Sequence, residues 1–282
     1  MGLLSASPFG VNDAVRPRPD REWVSTLRMG LALVGVVLTV VFLVPPISTW
    51  AGRYQFVESL QFGVFAFVVP ALLVSGAQWR RIGLASPQAH LIDADGAVVS
   101  PDRPRLIDRI AIARVRSSHQ RRAVLVASLF AALSIFWRVA PIVDYLVRHP
   151  WVVWLEAVSL IALGIVLFTN LIESPPLKPG TLRPYRIGIS AGVMWSAWVV
   201  AYLDGMSHVS WYHAFHHVAG HGISLSADQQ LSAGLIWFVS AAVFVPIVFW
   251  NLVYWLQSDE DPNDELQRLM RDERTRGFFG SD

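Results

Sequence analysis

Six apolar stretches of about twenty residues constrain the fold more than any other feature of the sequence. They cover residues 27–47, 56–77, 123–143, 151–172, 185–203 and 231–256. A helix needs roughly 20 apolar residues to cross a hydrocarbon layer about 30 Å thick. In lipid, a spanning segment must also satisfy its backbone hydrogen bonds internally. The sequence therefore predicts an all-α, polytopic integral membrane protein with six transmembrane helices.

Basic residues are divided unevenly between the two sets of tails and loops. Of the 23 Lys and Arg residues, only Arg53, Arg138 and Arg148 fall in one set. The positive-inside rule then places both termini in the cytoplasm. This predicts a cytoplasmic tail at 1–26, a membrane domain at 27–256 and a charged cytoplasmic tail at 257–282. Loops 77–122 and 173–186 would be cytoplasmic, and loop 204–230 would face outward. The basic inner loop is typical of contact with anionic lipids and not of nucleic-acid binding.

The predicted outer loop 204–230 is rich in groups that bind metals. The chain has no cysteine, so a metal would need ligands other than thiolates. In an α-helix, residues four apart share a face, which would align several imidazoles. Imidazole binds copper, zinc, nickel and iron, and a thioether favours Cu(I). We therefore predict metal ligands among Met206, His208, His213, His216, His217 and His221. Interfacial packing beside Trp211, Tyr212 and Phe215 is the alternative, as is a role in proton transfer.

Three predicted helices run inward, and each carries a carboxylate near its outer end: Glu58, Glu156 and Asp228. Ionisable groups inside a membrane are costly and are usually functional. We expect these three groups to meet at one outward-facing site that completes the metal ligands. A structural reading competes, because helix N-termini favour acids, and Ser226 to Gln229 matches a capping box.

No sequence motif indicates catalysis. The segment from His213 to His217 satisfies the HxxHH box of membrane di-iron enzymes, but the other histidine boxes that those enzymes need are missing. A phosphate-binding glycine loop and a metalloprotease HExxH are also missing. The prediction is a protein without enzymatic activity, and a di-iron enzyme is the weakest alternative.

Three segments together resemble the CtaG-like cytochrome c oxidase assembly family. The stretch from Asp228 to Trp237 is similar to the DQxLxGxxMW signature that opens the family's last helix. The stretch from Phe56 to Leu73 resembles the family's helix that ends in PxLL, and the stretch from Trp137 to Gly164 resembles its W-x-x-P…HxxEH…G segment. The residues of this structural signature are Gln61, Pro70, Gln229, Gly234 and Trp237.

The resemblance implies a bacterial plasma-membrane protein that assists assembly of a haem-copper oxidase, with copper delivery as the implied step. Oxidase subunits or other assembly factors, together with membrane lipids, are the implied partners. The family's usual helix histidines are replaced here, by Glu58 and Phe62 in the second helix and by Val153 and Ala157 in the fourth. Either the histidines of the outer loop supply ligands that the helices have lost, or the chain keeps the scaffold as a structural subunit without metal.

Overall fold

A computed structural model describes residues 20–76, 119–174, 179–207, 210–218 and 222–257. Within these ranges every secondary-structure element is a helix. The predicted cytoplasmic loop 77–122 and the tail 257–282 lie almost wholly outside the described residues. So do most of the N-terminal tail 1–26 and the predicted ligands His208 and His221.

Six helices are long and apolar enough to span a membrane, which confirms the predicted number. They are Thr26–Leu43, Gln55–Ser75, Gln120–Trp137, Val152–Leu171, Arg183–Met206 and Leu225–Gln257; we call them the first to sixth spans. The first belongs to a helix that begins at Asp20, and the third to one that begins at His119. A short helix, Ile47–Ala51, joins the first two spans.

The second span lies at the centre of the bundle. Its Phe65 and Phe67 are fully buried. Phe67 meets two buried rings, Phe130 of the third span and Phe244 of the sixth, and Phe244 in turn stacks on Phe168 of the fourth span. The Phe67 ring lies 6.2 Å from that of Phe130 and 5.6 Å from that of Phe244. Along the sixth span, one side packs against the fifth span and another against the start of the second. The polar start of the second span is thereby enclosed by its neighbours.

A proline and a glycine set the closest approach of the second and fourth spans. Pro70 has no N–H to donate to the Ala66 carbonyl, and the helix widens to a π-helix over Val64–Val68 just before it. A Cβ added to Gly164 would lie 2.6 Å from Pro70 Cγ. Only glycine fits there without displacement, so Pro70 and Gly164 together fix this helix contact.

The third span is shorter than the predicted 123–143. Its helix ends at Trp137, and a separate helix, Ala140–Arg148, follows. Pro141 is tolerated in the first turn of a helix but not in its interior, so a continuous helix through Pro141 was the wrong prediction. We call Ala140–Arg148 the corner helix. Arg138 and Val139 form the bend before it, and the bend directs Arg138 into the bundle.

Candidate functional site

Polar side chains from four spans and the bend gather at the predicted outer end of the bundle. We call them the polar cluster. All are buried, with at most 5% of each residue exposed. The members are Gln55, Glu58, Ser59, Arg138, Glu156, Asp204, Asp228, Gln229 and Ser232.

Arg138 is the centre of the polar cluster. Its Nη1 donates a hydrogen bond to Glu58 Oε2, and its Nη2 lies 4.0 Å from Asp204 Oδ2. The guanidinium carbon also lies 5.5 Å from the centroid of the Phe62 ring and 5.2 Å from that of Tyr212. A cation over an aromatic face is attracted by the ring quadrupole. Arg138 thus joins the second and fifth spans to the loop that carries Tyr212.

The charges around Arg138 favour its positive form. Burial lowers the pKa of the guanidinium, but the nearby carboxylates of Glu58 and Asp204 oppose this effect, and the pKa is raised overall. Glu156 also lies within electrostatic range of Glu58 and Arg138. Three buried carboxyl groups therefore share one guanidinium within the described cluster. Glu58 Oε1 and Glu156 Oε1 have no hydrogen-bond partner.

A chain of hydrogen bonds extends the cluster across the second, fifth and sixth spans. Gln55 Nε2 donates to Asp204 Oδ2 at 3.0 Å and to Ser232 Oγ at 3.3 Å. The hydroxyls of Ser59 and Ser232 are 2.6 Å apart, and Ser59 donates to Glu58 Oε2 at 3.3 Å. Polar groups buried in a low dielectric need such partners. These bonds fix the three helices in one register.

Asp228 caps a helix other than its own. Its Oδ2 accepts from the Gln55 backbone N–H and its Oδ1 from the Phe56 backbone N–H, both at 2.9 Å. At the start of the sixth span, Ser224 Oγ accepts a hydrogen bond from Ala227 N at 3.2 Å. The capping box predicted at Ser226 to Gln229 is therefore wrong, because the capping hydroxyl belongs to Ser224, two residues earlier. Both Asp228 oxygens are thus engaged at the N-terminus of the second span.

Two of the signature residues, Gln229 and Gln61, hold helix ends together. Gln229 Nε2 donates to the backbone carbonyl of Asp204 at 2.5 Å, at the end of the fifth span. Gln61 Nε2 donates to the Phe42 carbonyl at 2.6 Å, at the end of the first span. The half-exposed ring of Trp237 lies 4.9 Å from that of Trp198, and a Cβ on Gly234 would meet nothing within 4 Å.

The histidine segment is a short 3-10 helix over His213–Val218, which we call the His helix. The predicted α-helical alignment of His213, His217 and His221 is therefore wrong for 213–218. A 3-10 helix has three residues per turn, so residues three apart share a face. Apolar residues follow that period, since Tyr212 and Phe215 are fully buried. Opposite them, the exposed rings of His213 and His216 lie 5.2 Å apart between centroids.

Tyr212 connects the His helix to the polar cluster. Its hydroxyl donates to the Arg138 carbonyl at 3.1 Å, and its ring lies over the Arg138 guanidinium. Burial raises the pKa of Tyr212 to about 12. The phenol is therefore a neutral hydrogen-bond donor at physiological pH.

The structure unites some of the predicted ligands and separates others. Glu58 and Glu156 share the cluster around Arg138, whereas His213 and His216 lie on an exposed face above it, and Met206 is exposed at the end of the fifth span. The side chain of His217 is outside the described part of the structure, as are His208 and His221. Among the residues that the structure describes, no group of three or more metal-ligating side chains occurs.

Sequence reasoning missed Arg138 and Asp204. In the predicted topology Arg138 counts as a loop charge, and Asp204 falls in the outer loop 204–230. One signal was available, because Arg138 is the only charged residue between Arg122 and Asp144, and Asp204 the only one between Arg186 and Asp228. A lone charge at the end of an apolar span favours a buried partner on another helix.

Comparison with known proteins gives one match. The family model described as cytochrome c oxidase caa3 assembly factor matches residues 10–258. That range includes every residue of the polar cluster and the whole His helix. No curated protein and no solved structure matches the chain.

Proposed function

The chain belongs to the cytochrome c oxidase caa3 assembly factor family, and we propose that it assists oxidase assembly by handling copper at its predicted outer surface. His213 and His216 are the core ligands in this proposal. Met206, His208, His217 and His221 are further candidates. The oxidase subunits that receive copper, or other assembly factors, are the proposed partners. An assembly role requires no turnover chemistry.

The exposed pair of imidazoles is the observation that supports this proposal most directly. The rings of His213 and His216 lie on one face of the His helix, 5.2 Å apart between centroids. Two imidazoles at this spacing suit a copper ion, and a thioether ligand such as the exposed Met206 would add preference for Cu(I). An exposed site also suits a carrier, because a bound ion must be able to leave.

The buried carboxylates have a different role in this proposal. Both oxygens of Asp228 cap the second span, and Glu58 pairs with Arg138. We therefore assign these two residues to support of the bundle. Glu156, whose buried Oε1 has no hydrogen-bond partner, is assigned no such supporting role.

Copper content of the purified full-length protein tests the proposal. We expect copper to bind to the wild type, and replacement of both His213 and His216 with Ala to remove most of it. His149→Ala is the matched control, because His149 is also near the predicted outer end but stacks on Tyr145. Absence of copper from the wild type, or equal loss in the control, would reject the assignment.

A deletion strain tests the assembly role itself. Under copper limitation, we expect oxidase activity and oxidase copper content to fall together, and the wild-type gene to restore both. The gene with both histidines replaced should fail to restore them. Restoration by that variant would favour the second candidate, a structural subunit that binds no metal. The buried guanidinium of Arg138 is the observation that favours this candidate, since the polar cluster holds a cation of its own.

A further inference from the structure

Three contacts fasten the His helix to the bend and the corner helix. Two involve Tyr212, whose hydroxyl donates to the Arg138 carbonyl and whose ring receives the Arg138 guanidinium. The third is a hydrogen bond of 2.8 Å from the Ala214 backbone N–H to Asp144 Oδ1. Ala214 is the second residue of the His helix, so Asp144 holds the backbone directly beside His213.

Asp144 has no part in the proposed metal ligation or in the polar cluster. It lies on the corner helix and is only 8% exposed. Next to it, Val143 packs with Tyr212 and Phe215 in a small apolar cluster of fully buried side chains. The inner face of the His helix is therefore fixed by apolar contacts, and its first turn is fixed by the Asp144 carboxylate. Together they leave the two imidazoles on the outer face.

We propose that Asp144 and Tyr212 are positioning residues for a metal site at His213 and His216, and that they couple this site to the Arg138 bend. The inference rests on the proposed function, because it takes the histidine pair as the site. A chelate of two side chains binds tightly only if their backbone is already ordered, since ordering on binding costs conformational entropy. Groups that hold metal ligands in place typically contribute 10–100-fold in affinity.

The test measures Cu(II) affinity by competition with a chelator, and the number of bound nitrogens by electron paramagnetic resonance, on the full-length protein in detergent. We expect Asp144→Ala to raise the Kd by roughly tenfold and to weaken the two-nitrogen signal. Asp144→Asn keeps one acceptor oxygen and should bind within about threefold of the wild type. Arg148→Ala, on an exposed position of the same corner helix, is the matched control and should bind as the wild type does.

The outcomes distinguish failure of the positioning role from failure of the proposed function. If the wild type binds copper and Asp144→Ala binds it equally well with the same two-nitrogen signal, the positioning role is wrong and the proposed function stands. If the wild type binds no copper, the proposed function is wrong and the positioning role falls with it. Should Asp144→Ala not fold, Tyr212→Phe replaces it; that variant keeps the ring but loses the bond to the Arg138 carbonyl. Its Kd should rise at least threefold, and an unchanged Kd would overturn the proposal.

Discussion

Replacement of Arg138 should destabilise the bundle more than replacement of either of its acidic partners. Arg138→Met keeps most of the side-chain volume but removes the guanidinium that the three buried carboxyl groups Glu58, Glu156 and Asp204 share. Removal of one partner from a buried ion pair costs about 3–5 kcal/mol. Glu58→Gln leaves Arg138 with Asp204 at 4.0 Å, so its cost should be near that of one charged hydrogen bond, about 1.5–3 kcal/mol.

The comparison needs a matched pair at the other end of the bundle. Arg186 Nη1 lies 3.2 Å from Glu173 Oε1, but the Glu173 side chain is 56% exposed. An exposed ion pair contributes about 1 kcal/mol at most. Glu173→Gln should therefore change stability far less than Glu58→Gln, although each variant removes one carboxylate from an Arg–Glu pair.

Equilibrium unfolding in mixed micelles supplies the measurement, with a double-mutant cycle of Glu58→Gln and Arg138→Met. Because the two groups are in direct contact, the combined cost should be smaller than the sum of the single costs by about 1 kcal/mol or more. Additive costs would show that the Arg138–Glu58 pair is not coupled. A cost for Arg138→Met no greater than that of Glu173→Gln would refute the electrostatic account of the cluster.

Three further predictions concern single contacts. Asp228→Ala should lower the free energy of unfolding by about 1–2 kcal/mol through loss of the cap on the second span, and a midpoint equal to that of the wild type in denaturant unfolding would contradict this. Gly164→Ala should cost about 1–3 kcal/mol by overpacking against Pro70, whereas Gly234→Ala should not destabilise, which thermal unfolding of both variants checks. Tyr212 ionises less readily when folded, with a pKa raised from 10.0 to about 12. The contribution of Tyr212 to the free energy of unfolding should therefore be complete below pH 10 and be lost as the pH rises to about 12. Tyr212→Phe should remove this loss of stability at alkaline pH.

Sequence reasoning predicted the membrane helices well, for a physical reason. Each span must be predominantly apolar to enter lipid. The composition of a segment therefore predicts a span without information from the rest of the chain, and all six predicted spans are present. The grouping of Glu58 with Glu156 was also predictable, since each lies near the start of its span and alternate spans run in the same direction. Membership of the assembly factor family followed from motifs at Asp228 to Trp237 and is confirmed.

Pairing between distant residues was not predictable in the same way. Arg138 and Glu58 are 80 positions apart, and Gln55 and Asp204 are 149 positions apart. Periodicity assigns a residue to a helix face, but it does not say which other helix covers that face. The position of the His helix also involves a distant group, because Asp144 on the corner helix accepts a hydrogen bond from the Ala214 backbone N–H.

The position of Arg138 limits where a releasable metal is able to bind in this chain. Its guanidinium is a permanent cation, and it is held by Glu58, by the rings of Phe62 and Tyr212 and, at 4.0 Å, by Asp204. A metal ion placed among those carboxylates would face strong repulsion from this charge, since like charges a few ångströms apart are poorly screened when buried. The imidazoles of His213 and His216 are exposed, whereas Tyr212, which precedes them in the chain, is the residue of this segment that contacts the buried guanidinium. The proposed copper site therefore belongs on the outer face of the His helix, and the polar cluster beneath it holds that helix in place.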